Sequence, residues 1–434
     1  MSNRFSFRDL SLLLALLAIA AFFTYSLRDL GAGMFYEGNP FLSARTLSQL
    51  VVEVSITAML AVGMLLVILP GHIDLAAGSG VGLLGGLATV LIQGTGWVTE
   101  YLRAFHEFIG RTFGPEAAAW CPPPPWPDPV AMLFTLVIAT LFWGFMGSLI
   151  VRGRIQAFIV TLGGMLIFKG LFWQVIGSRT ISVNGATVGK TWDISAGGEA
   201  IRIPQDWLRR LTTDYVDAHI GLIVAGVVVG LMFIFQLRAW ARRQRLGIEG
   251  DDFELTFIKW LIVAQLIFIF VLVANQHKGV PLPAVVFAVV AFFVHTLTRH
   301  TRFGRHLYAI GGNEEAAVVS GIRVQRVTIC AFIIMGIIVA ITGFLQTSYV
   351  GSTTTSIGDL MELDAVAACV IGGVSLRGGR GSVMGVFLGA LIMATLAKGM
   401  QLKGTELSDK YVVRGCVLVL AVWMDTRLNR RRVN

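Results

Sequence analysis

Long apolar runs separated by short polar breaks set the character of this chain. Twelve can be marked, at residues 10–23, 50–69, 78–92, 130–151, 155–176, 220–237, 257–274, 283–297, 327–347, 363–374, 381–400 and 411–423. About 20 apolar residues are enough for a helix to cross the hydrocarbon core, and a helix satisfies its own backbone there. Several of the runs are shorter, and 363–374 has the length of a half-crossing. The pattern predicts an all-α polytopic membrane protein with about 12 transmembrane helices (10–12), forming a single membrane domain over 1–434.

The polar breaks orient these runs. Arg152 and Arg154, then Arg238, Arg242, Arg243 and Arg245, then Arg299, Arg302, Arg305, Arg323 and Arg326, then Arg427, Arg430, Arg431 and Arg432 all fall on one side if the runs alternate. The positive-inside bias makes that side cytoplasmic and puts both termini there, in agreement with Arg4 and Arg8. The opposite side carries the long segment 177–218, whose basic residues are diluted by Asp193, Glu199, Asp206, Asp214 and Asp217.

One break, the polar island 299–326, contains the signals of a complete short helix. Asn313 can cap it, Glu314 and Glu315 suit the positive end of its dipole, and Gly321 can stop it. Ala316, Ala317, Val318 and Val319 give it a small apolar face. The island is either a docking element for a cytoplasmic partner or an ordinary basic loop that fixes topology.

Composition narrows the function classes. The chain is 55% hydrophobic and 14% charged, against about 25% charged for a soluble domain. Its net charge of +9 follows from the one-sided placement of Arg, so it does not call for nucleic acid. The first apolar run follows Arg4 and Arg8 like a signal peptide, but no small-residue cleavage site follows, which predicts an uncleaved first helix. Cys330, Cys369 and Cys416 lie in apolar runs and Cys121 in an outer loop, so no disulfide framework is expected. No P-loop, metal-ligand spacing or nucleophile–base set occurs, so no ATP hydrolysis, metal site or enzymatic activity is expected in this chain. Within the apolar runs the main charges are Lys169, Asp364 and Lys398. Near run ends such side chains snorkel, and their scarcity argues against an ion-coupled carrier.

Two glycine ladders recur. Gly78, Gly82 and Gly86 are spaced by four, as are Gly381, Gly385 and Gly389. Each set shares one helix face where a neighbouring helix can approach closely. Gly71-His72-Ile73-Asp74-Leu75 precedes the first ladder and Gly372-Gly373-Val374-Ser375-Leu376 the second. This reads as an internal repeat, parallel or inverted, with a solute path near the interface of the halves. The alternative is chance recurrence in a chain with 49 glycines.

Asp74, between Pro70 and Gly78, is either a helix cap or a path-lining group. Phe158, Thr161 and Gly164, from the run that begins at Ile155, are further path candidates. For Thr161 and Gly164, back-bonding to the helix and helix packing are the competing readings. Residues 94–129 form an outer insertion ending in the stiff Cys121-Pro122-Pro123-Pro124-Pro125-Trp126-Pro127. Residues 220–275 add a pair of crossings, and an even number of added crossings preserves the orientation of the later runs.

Several motifs resemble the permeases of bacterial sugar ABC importers, the family serving ribose, arabinose, galactose and xylose. They are Thr301-Arg302-Phe303-Gly304-Arg305, Tyr308-Ala309-Ile310-Gly311-Gly312-Asn313, Ser320-Gly321-Ile322, the run from Glu362 to Gly373, and Ala421-Val422-Trp423-Met424-Asp425. Gly71-His72-Ile73-Asp74-Leu75 is similar to the family's Gly-Gly-Ile-Asp-Leu. The likeness is greatest to the xylose branch, which also has a helix pair like 220–275. The resemblance implies a multi-pass subunit of the bacterial cytoplasmic membrane. It implies that Asn313, Glu314, Glu315, Ala316, Ala317, Ser320 and Gly321 form the coupling helix that docks on a separate ATPase subunit, with ATP bound there. A second copy of the chain, a periplasmic sugar-binding protein and membrane lipid would be its other partners.

Overall fold

Buried apolar sequence places helix α2 (Ala44–Ile68) at the centre of the molecule. Ser43 caps it by accepting a hydrogen bond from the Thr46 amide at 3.2 Å. From Ala58 through Leu69 nearly every side chain is shielded from the surface. The computed structural model describes residues 7–27, 40–115, 123–183, 191–196, 199–204, 206–245 and 253–430. Cys121 and both extreme termini lie outside them, while Cys330, Cys369 and Cys416 are free thiols.

The other helices of the first half, in chain order, are α1 (Phe7–Ser26), α3 (Ala77–Gln93), α4 (Trp97–Phe113), α5 (Asp128–Arg152) and α6 (Ala157–Ile176). After the short α7 (Trp207–Thr213) come α8 (Ala218–Arg245), α9 (Phe253–Asn275) and α10 (Leu282–His300). The island forms α11 (Arg302–Gly312) and α12 (Glu314–Val319). The chain ends with α13 (Val324–Val350), α14 (Met361–Ile371), α15 (Val383–Leu402) and α16 (Leu407–Arg430).

Among the described residues, eight helices are long and apolar enough to cross a membrane, or nine if the bent pair α3–α4 is one span. This is a polytopic, all-α membrane architecture. Helix α14 has 11 residues, about 16 Å of rise, roughly half the hydrocarbon thickness. Residues 97–113, which fall outside the twelve marked runs, form α4, bent 54° from α3.

The inner layer is α2, α3 and α13, wrapped by α5, α6, α14 and α15. Close approach of these helices follows from the glycines. A Cβ at Gly82 would lie 2.5 Å from the Ile357 carbonyl oxygen, and one at Gly86 2.6 Å from the Phe172 ring. At Gly78 it would collide with Glu362, at Gly381 it would press on Leu65, and at Gly385 and Gly389 on the backbone of Gly372 and Ala368. A further contact is carried by Gly343 of α13, which faces Val81 and Gly85 across the α3 interface. Both ladder helices begin at the end of the bundle nearest the island.

Helices α8 and α9 pack mainly on each other, with Trp260 donating to the Val229 carbonyl at 3.1 Å and a small core of Ala225, Val271, Ala274 and Val280. Three short antiparallel ladders tie connections at the far end: β1 (Ile181–Ser182) with β6 (Ser352–Thr353), β2 (Thr191–Ala196) with β3 (Glu199–Pro204), and β4 (Tyr215–Val216) with β5 (Val280–Pro281).

Candidate functional site

The island is anchored before it is presented. Thr301 caps α11 by accepting from the Gly304 amide at 3.2 Å. Leu307 and Ile310 are buried, and Tyr308 donates its hydroxyl to the Gly381 carbonyl at 2.8 Å. Burial raises the Tyr308 phenol pKa, with Arg299 opposing, so it stays a donor. Gly311 lies against the Leu69 carbonyl and the Gly379 amide, and that amide donates to Leu69 at 2.9 Å. The end of α2, the α14–α15 loop and α11 therefore meet through backbone, at a point where a side chain has no room.

On this base sits α12. Asn313 accepts from the Ala316 amide at 2.9 Å, Ser320 donates its hydroxyl to the Ala316 carbonyl at 2.8 Å, and Gly321 ends the turn with φ +80°. The seven coupling-helix candidates thus form one capped unit. Its outward face differs from the expected one. Ala317 is only 3% exposed and joins the main core, while Val318 is 56% and Val319 89% exposed. The six-residue helix seats Ala317 inward, so Ala316, Val318 and Val319 carry the free apolar surface. Glu314 and Glu315 stand beside them, with Arg302, Arg305, Arg377 and Arg380 exposed on the same end. Beneath the helix, burial lowers the His72 pKa, and Glu314 pulls it the other way.

Three of the path candidates meet at the break between α2 and α3. Asp74 is fully buried, its Oδ1 accepting from the Ala76 amide at 2.9 Å and its Oδ2 from the Trp143 indole at 2.7 Å. Both carboxylate oxygens are engaged within the chain, so Asp74 pins the turn to α5. Thr161 is buried and lies 2.9 Å from the Ala157 carbonyl and 3.2 Å from that of Ile73. A Cβ at Gly164 would sit 2.8 Å from the Met146 sulfur and 3.3 Å from Ala76. Phe158 does not join them: it is 54% exposed on the outside of α6.

Charged groups inside the apolar runs pair with partners from other helices and loops, and Glu53, Lys398 and Tyr349 gather toward the end remote from the island. Lys398, for which the sequence predicts snorkelling, is instead 3% exposed and donates to Glu53 at 3.0 Å and Gln49 at 3.1 Å. Tyr349 donates to the same Glu53 oxygen, Oε1, at 2.7 Å. Asp364 pairs with Arg414 at 3.4 Å, and Lys169 pairs with Asp359 and donates to the Thr355 carbonyl at 2.7 Å. Glu53 is the functional candidate that sequence reasoning missed; a lone carboxylate in an apolar run is the signal that could have found it. Charged groups inside the bundle, Lys398 buried and its neighbours half-buried, are thus more numerous than the apolar runs suggest, which weakens the scarcity argument against an ion-coupled carrier. A cavity of about 310 Å³ opens beside the cluster, lined among others by Glu53, Gln346, Tyr349, Asp364, Lys410 and Arg414.

Comparison with known proteins matches residues 46–422 to the family described as branched-chain amino acid transport system / permease component. The chain is 33% identical to the xylose transport system permease protein XylH of Escherichia coli over 417 residues, 96% of this chain and 91% of that one. It is 35% identical to the XylH protein of Haemophilus influenzae, covering 96% and 95%. The ribose import permease protein RbsC of Escherichia coli is 26% identical, over 89% of this chain and 87% of its own length. No solved structure matches.

Proposed function

Because the chain belongs to the bacterial sugar ABC-importer permease family, a family of multi-pass cytoplasmic-membrane proteins, we propose that it carries a pentose, xylose or a near relative, across that membrane. The observation that carries the choice of sugar is identity of 33–35% to two xylose permeases over more than nine-tenths of all three lengths. Family membership supports a transporter subunit rather than an enzyme.

In this reading two copies form the path, a periplasmic binding protein delivers the sugar, and a cytoplasmic ATPase subunit binds and hydrolyses ATP. The chain itself needs no cofactor. It acts as one unit over 1–434, with both termini cytoplasmic and some twelve segments entering the membrane. Residues 220–275 are an added pair, which suits their mutual packing at the periphery. The coupling element is the island 299–326. Its cap, its exposed Ala316, Val318 and Val319, and its backbone seat on α2 and the α14–α15 loop support that role. Movement imposed on α12 reaches α2 and α15 with little give, because Gly311, Gly378 and Gly379 leave no side chains to absorb it.

Sugar uptake by vesicles holding permease, ATPase and binding protein tests the reading. Uptake is expected to require ATP and the binding protein, with xylose outcompeting hexoses. Val319→Asp should abolish ATPase co-elution and uptake while leaving the permease folded, since 319 is almost wholly exposed. Uptake that runs on an ion gradient without ATP would overturn it in favour of a carrier.

A further inference from the structure

We infer that the cavity beside Glu53, Tyr349, Asp364 and Arg414 is a transient binding site for a neutral monosaccharide inside the permease. This rests on the transport reading and deepens it.

Position comes first. Helices α10 and α13 meet the island at His300 and Val324, and α2 reaches it at Leu69. The cavity is lined from the other ends of these elements: Glu53 and Thr57 from the first half of α2, Tyr349 from the last turn of α13, Gln401 from the end of α15. It therefore lies toward the face opposite the ATPase-docking end, the face at which a delivered sugar would arrive.

Chemistry comes second. A sugar hydroxyl both donates and accepts, so a site for it needs carboxylates, amides and cations together. The lining provides Glu53 and Asp364 as acceptors, Gln346 as both, and Lys410 and Arg414 as donors, while Tyr349, whose proton is given to Glu53, offers its hydroxyl lone pairs. Both bonds to Glu53 from Tyr349 and Lys398 fall on Oε1, which leaves Oε2 as an acceptor. The two acids are paired within the wall, Glu53 with Lys398 and Asp364 with Arg414, so neither calls for a cationic ligand, and Lys410 adds a donor for a polar one. Met361, Met393 and Met400 add an apolar side for the C–H face of a sugar ring. The volume, about 310 Å³, is at the small end of ligand pockets, which suits one monosaccharide.

A purely bracing cluster would close the helices on one another. Here Lys398 and Glu53 join α15 to α2, and Asp364 and Arg414 join α14 to α16, with an open space between the two pairs. Ionisable groups held at such cost within a membrane bundle mark solute pathways.

Equilibrium binding of radiolabelled D-xylose to the purified permease–ATPase complex in lipid discs, without the binding protein, tests this. Saturable binding is expected, weakened about tenfold or more by Glu53→Gln and by Tyr349→Phe, in line with loss of a half-buried charged hydrogen bond. Both variants keep side-chain volume, and ATPase co-elution monitors their folding. No saturable binding by the wild-type complex, or binding unchanged in both folded variants, overturns the inference. Vesicle uptake by the wild type keeps the two readings apart: ATP-driven uptake without such binding sinks the site alone, whereas absence of ATP-driven uptake sinks the transport reading too.

Discussion

The two ends of the bundle are built from different materials. At the island end, Gly311, Gly378, Gly379 and the Leu69 carbonyl meet backbone to backbone, and the helix above them is held by caps. At the remote end, Glu53, Tyr349, Lys398, Asp364 and Arg414 meet through long side chains around a cavity. Backbone contact transmits displacement, because no rotamer can absorb it. Side-chain contact around a space can rearrange as a solute enters and leaves. One molecule thus has a stiff end suited to receiving force and an adaptable end suited to handling a polar solute.

The largest expected effect breaks the stiff end. In Gly385→Leu the new side chain meets the backbone of Gly372, which has no way to yield locally. Loss of most monodisperse protein on size exclusion is expected, since overpacking costs about 1–3 kcal/mol even where neighbours can adjust. Normal yield and normal uptake would show that the ladder face tolerates separation.

A step smaller is Lys398→Met at the remote end. It leaves the Glu53 carboxylate, whose side chain is 19% exposed, without its cation. A loss of about 3 kcal/mol in thermal-unfolding measurements is expected, and Lys398→Met with Glu53→Gln should recover part of it. If the double variant is no better than the single one, the pair is not the brace described.

Tyr308→Phe removes the single hydroxyl bond to Gly381 and should cost about 1 kcal/mol, with docking intact. A complete loss of ATPase co-elution would mean that α11 is held by this bond more than by backbone contact.

The smallest effect is a pH dependence at the stiff end. Burial holds the pKa of folded His72 below its unfolded value of ~6.5. The unfolded state therefore binds more protons just below that pH. His72 contributes stability above ~6.5, and the contribution fades as pH falls. Thermal stability should drop slightly on acidification, and His72→Gln should flatten the drop. An unchanged slope in that variant would assign the pH dependence elsewhere.

Sequence periodicity found the long apolar helices because burial in lipid demands long apolar runs, though eight or nine of the described helices, fewer than the twelve runs marked, are long and apolar enough to cross; it found the α12 cap because Asn313, the two glutamates and Gly321 act on neighbours within one or two turns. The glycine ladders were legible for the same local reason. Their partners were not: Gly82 and Gly86 face Phe172 and the loop at Ile357, whereas Gly385 and Gly389 face the backbone of α14. Tertiary structure alone turned Ala317 inward and left Val319 outside, since a six-residue helix has too little length for a periodic signal. It alone set Phe158 apart from Asp74 and Thr161. It alone joined Lys398 to Glu53 across 345 positions, a pairing invisible to any local pattern because each residue by itself reads as an isolated charge in an apolar run. Local chemistry fixes which segments are helices and where they stop; which side chains meet depends on packing between segments, and that is decided only when the bundle closes.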